Sequence, residues 1–305
     1  MIKYSGSFEI MRTLSGKKIS NICIGTKGID INNLDTELAV LLYYFNQGIN
    51  MINVVLAYDN GNTMKVVAEF LKYINREDIF INAFITYGCQ DVEDIEKQID
   101  MYMNVLGTDY LDCVTLHSPA IVGVKFDDYV EQINKLRKTN KFFHIGYSNL
   151  SPKQFDEVKN NIEYYEGLYN LDCKINEDNG IMGSCLVNGI PFYAYQTLRQ
   201  NKIARAHYKE VELLARKHEK TPNQILLNWM FKHKKINAVI KSSNTEHIAE
   251  NLRALNFEMT LEDYKMLDKF RNEFYDSLPV TYGNLKTKIR IDKLAEQEKK
   301  KKQSK

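Results

Sequence analysis

The sequence predicts an α/β fold, a single-domain (β/α)8 TIM barrel, and three observations carry that prediction. Short apolar, β-branched runs alternate with amphipathic segments of helical length, the pattern of β/α units around a parallel sheet. Eight such runs fit within roughly 250 residues, the size of one closed barrel. The stretch after the first run, "GTKGIDINN", lacks the GxGxxG fingerprint of a doubly wound dinucleotide fold.

Strands are expected at 19–26, 50–55, 79–85, 110–116, 142–147, 166–171, 190–195 and 236–241. Helices fall between them at "TELAVLLYYFNQ", "VEDIEKQIDMYMNVL", "FDDYVEQINKLRK" and "SPKQFDEVKNN". The last opens with Ser151 as N-cap and Pro152 at its first position, where a missing N–H costs nothing. Residues 1–18 read as an N-terminal hairpin closing the barrel floor, 19–275 as the barrel, and 276–305 as a C-terminal segment ending in a basic, disordered tail.

With 305 residues, 44% of them hydrophobic, the chain can bury a large core without metal or disulfides. Its formal charge is +2, and "KLAEQEKKKKQSK" at the end supplies the excess, leaving a slightly acidic body. That distribution gives no nucleic-acid groove. The five cysteines, Cys23, Cys89, Cys113, Cys173 and Cys185, are odd in number and lack CxxC spacing, which argues against a disulfide framework and a zinc site. No apolar run is long enough to span a membrane, and the N-terminus has no apolar leader core, so the cytoplasm is the expected location.

In such a barrel the chemistry gathers at the C-terminal ends of the strands. Tyr58, after the second strand, and His117, after the fourth, are the proton handlers there. Taken singly, either could equally serve only a backbone group. The segment after strand seven, "YQTLRQNKIARAHYKE", runs almost directly into a helix and leaves little room for a covering loop. The segment "YDSLPVTYGNLKTKIRIDK" is expected to fold over the mouth.

Taken together, these strand ends resemble the aldo-keto reductases from about Gly25 to Phe270. "LGTDYLDCVTLHSP" (106–119) looks like the family's approach to its active-site histidine, and "IGYSNLS" (145–151) like its Gly-x-Ser-Asn signature. "KTPNQILLNWMF" (220–231) is similar to the helix before strand eight, and "KSSNTEHIAENL" (241–252) to the adenosine-phosphate loop. The resemblance implies NADP(H) as cofactor, with NAD(H) as an alternative, and a small-molecule carbonyl or alcohol substrate. It places Ser148 and Asn149 on the nicotinamide carboxamide and Tyr195 against its ring. Lys241 and Ser242 fall at the 2′-phosphate, with His247 replacing the usual arginine, and Glu250 and Asn251 fall at adenine. Glu166 stands where the family has a glutamine; an ionised carboxylate cannot donate a hydrogen bond, but it favours the oxidised, cationic ring.

The resemblance also implies an Asp, Tyr, Lys, His tetrad, in which an ammonium held by the aspartate lowers the phenol's pKa. Tyr58 and His117 fill two positions. Asn53 stands at the aspartate and Phe84 at the lysine, so the tetrad is degenerate; Lys27 is a candidate substitute charge. The first functional expectation is therefore an atypical NADP(H)-dependent oxidoreductase. The second is a catalytically impaired relative that binds nucleotide or a protein partner as a regulatory or scaffold subunit, and a third is altered redox or elimination chemistry.

Overall fold

In the computed structural model, which describes residues 12–14, 17–86, 88–119 and 122–272, eight parallel strands close into a barrel. A hairpin precedes it: β1 (Arg12–Leu14) pairs antiparallel with β2 (Lys17–Ile19), so the strand expected from residue 19 begins later. The barrel strands are β3 (Ile22–Ile24), β4 (Met51–Val54), β5 (Phe80–Ile85), β6 (Leu111–Leu116), β7 (Phe142–Ser148), β8 (Tyr164–Leu168), β9 (Phe192–Tyr195) and β10 (Asn237–Ile240). Each pairs with its neighbours in sequence, and β10 closes on β3.

The sixth barrel strand lies earlier than the expected 166–171. Tyr164 and Tyr165, aromatic and suited to a pleated surface, start it, whereas Tyr169 and Asn170 already belong to a turn bridged from Asn170 to Cys173. Residues 276–305, including the expected cover of the mouth and the basic tail, lie outside the described residues.

The period of two along each strand sorts side chains into two cores. Outward-facing residues such as Ile52, Val54, Ile81 and Val114 pack against the helices. Inward-facing Met51, Phe80, Phe84, Cys113, Tyr164 and Tyr193 fill the barrel with Ile19 and Cys23. All five cysteines are buried free thiols. Lys17 ties the hairpin to the floor, donating to Asp112 Oδ1 at 2.7 Å and to the Ile79 carbonyl at 3.0 Å. Among the described residues no helix is long and apolar enough to cross a membrane.

Helix ends are satisfied locally. Ser151 accepts from the Gln154 amide to start the helix Pro152–Val158, with Pro152 in its first turn. At the other end of the chain, buried Lys174 donates to the carbonyls of Leu267, Asp268 and Phe270, closing the helix Leu261–Lys269. Those carbonyls have no helical donors of their own. Replacing Lys174 by alanine is expected to lower stability by about 1–3 kcal/mol, read as a lower thermal midpoint; an unchanged midpoint would show that water replaces the ammonium without loss.

Candidate active site

The mouth of the barrel opens into one cleft of about 1010 Å3 that runs from Tyr58 and His117 to Lys241 and Asn251. Tyr58 follows β4 in a tight turn whose next three residues, Asp59, Asn60 and Gly61, have φ of 47°, 49° and 85°. Short polar side chains and glycine tolerate that left-handed backbone. Tyr102 fixes the same turn from behind: its hydroxyl accepts from the Leu56 amide at 2.8 Å and donates to the Phe84 carbonyl at 2.6 Å. His117 follows β6, its amide bonded to the Ile85 carbonyl, and its ring lies edge-on to Phe84 with centroids 5.6 Å apart. Phe84 is 3% exposed and packs with the barrel interior, on which Tyr58 also rests.

Beneath these rings lies a buried polar layer. Asn53 and Asn82 occupy paired positions on β4 and β5, so both side chains point inward. Thr115 Oγ1 donates to Asn82 Oδ1 at 2.6 Å, Asn82 Nδ2 donates to Asn53 Oδ1 at 2.9 Å, and Asn53 Nδ2 donates to Glu166 Oε2 at 2.6 Å. Tyr164 completes the chain, donating its hydroxyl to the same Glu166 oxygen at 2.6 Å. Gly146 beside Thr115 leaves room for it, because a Cβ there would collide with the threonine hydroxyl.

The surroundings of Tyr58 disfavour its ionised form. Burial raises the phenol above its ordinary pKa, and the Glu166 carboxylate raises it further. Tyr195 is pushed up for the same two reasons, in the same order. Phe84 supplies no opposing charge. Lys27 lines the cleft, but it is exposed on its rim.

At the next station of the cleft, Asn149 holds a left-handed backbone, φ 58°, and its Nδ2 donates to the His117 carbonyl and to Ser148 Oγ, both at 3.0 Å. Tyr195 donates its hydroxyl to Asn149 Oδ1 at 2.6 Å. Ser148, Asn149, Tyr195 and His117 thus form one bonded group, with Glu166 in register beside Ser148. At the far end, Lys241 Nζ donates to the Gly28 carbonyl and to Ser243, 3.7 Å from the Glu37 carboxylate. The helix Thr245–Leu252 begins there, capped by Asn244 on the Glu246 and His247 amides. His247 is exposed on its first turn, Glu250 accepts from Thr221 Oγ1 at 2.6 Å, and Asn251 is buried.

Two features escape sequence reasoning. The segment 196–208 after β9 does cover the cleft, contrary to the expectation of a short connection: Gln196, Arg199, Gln200 and Asn201 have positive φ and break what reads as helix, and the segment lines the cleft from Gln196 to Arg205. Arg199 anchors it at 2.6 Å to buried Asp172, which also accepts from Tyr208 and Asn272. The other is the partnership of Asn53 with Glu166. Their separation of 113 residues hides it, and the available signal was a polar residue at an inward position of strands β4, β5 and β8 alike.

The fold is a (β/α)8 barrel with one cleft across its mouth. The Aldo/keto reductase family matches residues 21–272, and the chain belongs to that family. It is 26% identical to methylglyoxal reductase YeaE of Escherichia coli (strain K12) over 79% of this chain and 87% of that protein. It is 25% identical to aldo-keto reductase family 1 member A1 of Rattus norvegicus over 87% and 90%. In structure it is similar to the thermostable aldo-keto reductase Tm1743, with a TM-score of 0.78, 24% identity, and coverage of 86% of this chain and 99% of that one. An aldo-keto reductase from Klebsiella pneumoniae in complex with NADPH superposes with a TM-score of 0.76 at 21% identity, covering 87% and 96%.

Replacing Asn53 by aspartate would set a second carboxylate against Glu166 in place of an N–H donor. The pair would then hold a proton more tightly folded than unfolded, so its raised pKa lends stability at low pH that is lost as pH rises through it. Asn53→Asp is therefore expected to melt lower than wild type at pH 7, by the equivalent of about 3 kcal/mol, with the gap narrowing toward pH 4. A gap independent of pH would refute direct carboxylate contact.

Proposed function

We propose that the protein is an NADP(H)-dependent oxidoreductase of the aldo-keto reductase type whose ordinary carbonyl reduction is weak. The observation that carries this reading is the single cleft joining the Tyr58 and His117 rings to the Lys241–Asn251 loop. The residues present fit an extended dinucleotide. Lys241 and Ser242 would hold the 2′-phosphate, where a lysine distinguishes NADP from NAD by a dianion. Glu250 and Asn251 would face adenine, Ser148 and Asn149 the carboxamide, and Tyr195 the ring. When bound, the reduced nicotinamide supplies a hydride.

The chain's own contribution to proton transfer is detuned. In the family's logic an ammonium at the Phe84 position, held by a carboxylate at the Asn53 position, makes the tyrosine acidic. Here Phe84 is apolar, Asn53 is an amide, and the charge acting on Tyr58 is a carboxylate. Tyr58 therefore keeps its proton and serves a substrate as a hydrogen-bond donor rather than as an acid. His117 is held beside it to orient an oxygen or nitrogen. A well-placed general acid is worth roughly 10²- to 10⁴-fold, and that factor is what this site gives up. Orientation of the reacting atoms remains as a separate contribution. The five buried free thiols accord with a cytoplasmic setting.

The same detuning supports a second reading, a catalytically impaired relative that binds nucleotide, or a protein partner, as a regulatory subunit. A fluorescence titration separates the two at the first step. NADPH should bind in the micromolar range, and Lys241→Ala should weaken NADPH by about tenfold more than NADH; absence of binding at millimolar NADPH would remove the oxidoreductase reading. Turnover supplies the second step. Asn53→Asp with Phe84→Lys leaves Glu166 facing the new aspartate, so only the triple variant that adds Glu166→Gln should raise reduction of a nitrobenzaldehyde, by on the order of 10²-fold. Equal activity in the double and triple variants would show that Glu166 does not detune the site.

A further inference from the structure

Resting on the oxidoreductase reading of this cleft, we propose that Asp172 is a positioning residue for the nucleotide: through Arg199 it latches the covering segment 196–208 shut and so sets how fast the nucleotide leaves. Asp172 is 3% exposed and is not among the residues that line the cleft. Its Oδ2 accepts from Arg199 Nη1 at 2.6 Å, while its Oδ1 accepts from the Tyr208 hydroxyl at 2.6 Å and from Asn272 Nδ2 at 3.0 Å. Two residues earlier, Asn170 Nδ2 donates to the Gln196 carbonyl at 3.2 Å. One short turn thus grips the cover at Gln196, Arg199 and Tyr208.

The cover is held against its own backbone preference. Gln196, Arg199, Gln200 and Asn201 have φ of 55°, 47°, 55° and 66°, and residues 196–201 contain no glycine. Left-handed backbone at side chains such as Gln and Arg persists where contacts enforce it. Thr197 and Asn201 supply neutral contacts: Thr197 Oγ1 donates to the Val239 carbonyl, and Asn201 Oδ1 accepts from Asn223 Nδ2, each at 3.0 Å. The Arg199–Asp172 bond is charge-assisted, with side chains 12% and 2% exposed, and it is the strongest of these three restraints. Breaking it releases the strained residues together, which gives the cover an open and a closed state.

The same turn reaches the C-terminal end of the barrel. Lys174 donates to the carbonyls of Leu267, Asp268 and Phe270, Asn272 Nδ2 also donates to the Tyr208 hydroxyl at 3.1 Å, and the Tyr208 and Phe270 rings lie 4.7 Å apart. Residues 267–272 and the cover therefore share one anchor, and a change at Asn272 is felt at the nucleotide without touching it. A nucleotide in the cleft would lie under the residues that line it from Gln196 to Arg205, and it leaves when the cover lifts. The effect of Asp172 falls on dissociation and not on hydride transfer.

The test follows NADPH release by stopped-flow fluorescence, with bound NADPH chased by excess NADP+. Asp172→Asn keeps the size of the side chain and an acceptor for Tyr208 and Asn272, but it removes the charge that holds Arg199. It should speed release at least about tenfold and change association by less than about twofold. Arg199→Ala should do the same, and Arg199→Lys should recover part of the loss. Joining Asp172→Asn to Arg199→Ala should give release no faster than the faster single variant, because both remove one bond. Asn272→Ala should speed release by a smaller factor. A merely structural role would lower the thermal midpoint and leave release from the folded protein unchanged; that result, or single effects that multiply in the double variant, would overturn the proposal. Where Asp172→Asn fails to fold, Arg199→Lys and Asn272→Ala decide, and wild-type release in both overturns it. A wild type that binds no NADPH removes the oxidoreductase reading and this inference with it, whereas binding with release indifferent to Asp172 sinks this inference alone.

Discussion

A carboxylate inside a barrel must be held by donors, and the rest of this site follows from how Glu166 is held. Desolvating an ionised carboxylate costs several kcal/mol, recovered only through close hydrogen bonds. Asn53 and Tyr164 supply two at 2.6 Å, and Asn53 is itself held by Asn82, which is held by Thr115. Each amide in that chain accepts on its oxygen and donates from its nitrogen, so the direction of every bond is fixed by the anion at its end. A carboxylate at position 53 would remove the bond to Glu166 and add a like charge. Asn53 is thus the residue that a carboxylate at 166 requires, and not merely the remnant of an aspartate.

The same constraint reaches the phenol above. Tyr58 is placed by its turn and by Tyr102, whereas its acidity is lowered by burial and by Glu166. His117, Ser148, Asn149 and Tyr195 are joined by hydrogen bonds, and Glu166 is the charged side chain that acts on Tyr58. Strained backbone marks the edges of this arrangement, at Asp59 and Asn60 beside Tyr58, at Asn149, and along the segment from Gln196 to Asn201. Left-handed residues other than glycine persist where surrounding contacts over-determine them, and here the Arg199–Asp172 pair supplies such a contact.

The barrel was legible in the sequence because its signal is local and repeated. Alternation of apolar runs with amphipathic helices located all eight barrel strands, and errors fell where two readings compete, at residue 19, shared with the hairpin, and at Tyr164–Leu168, where adjacent aromatics shift the strand start. The cap at Ser151 was readable from four residues. The polar layer was not, because its members lie on four strands and meet only when the sheet closes. Asn53, Asn82, Thr115 and Glu166 each read as an isolated polar residue in an apolar run. The covering segment 196–208 was missed for another reason: its composition favours helix, and its tertiary anchor at Asp172 overrides that propensity.

These two kinds of failure have one physical source. A residue's partner across a closed barrel is set by register and shear rather than by sequence distance, so Asn53 and Glu166 can be 113 residues apart and 2.6 Å from each other. Reading either position against a family pattern gives a loss: an aspartate gone, a glutamine gone. Reading them as a pair gives a gain, because the amide that cannot hold an ammonium is well made to hold a carboxylate. Phe84 completes the exchange by filling the space above with a ring that needs no counter-ion and that favours positive charge at its face. Asn53, Glu166 and Phe84 thus set an amide-held carboxyl group and an apolar ring at the centre of the barrel mouth, in the cleft that Tyr58 and His117 also line.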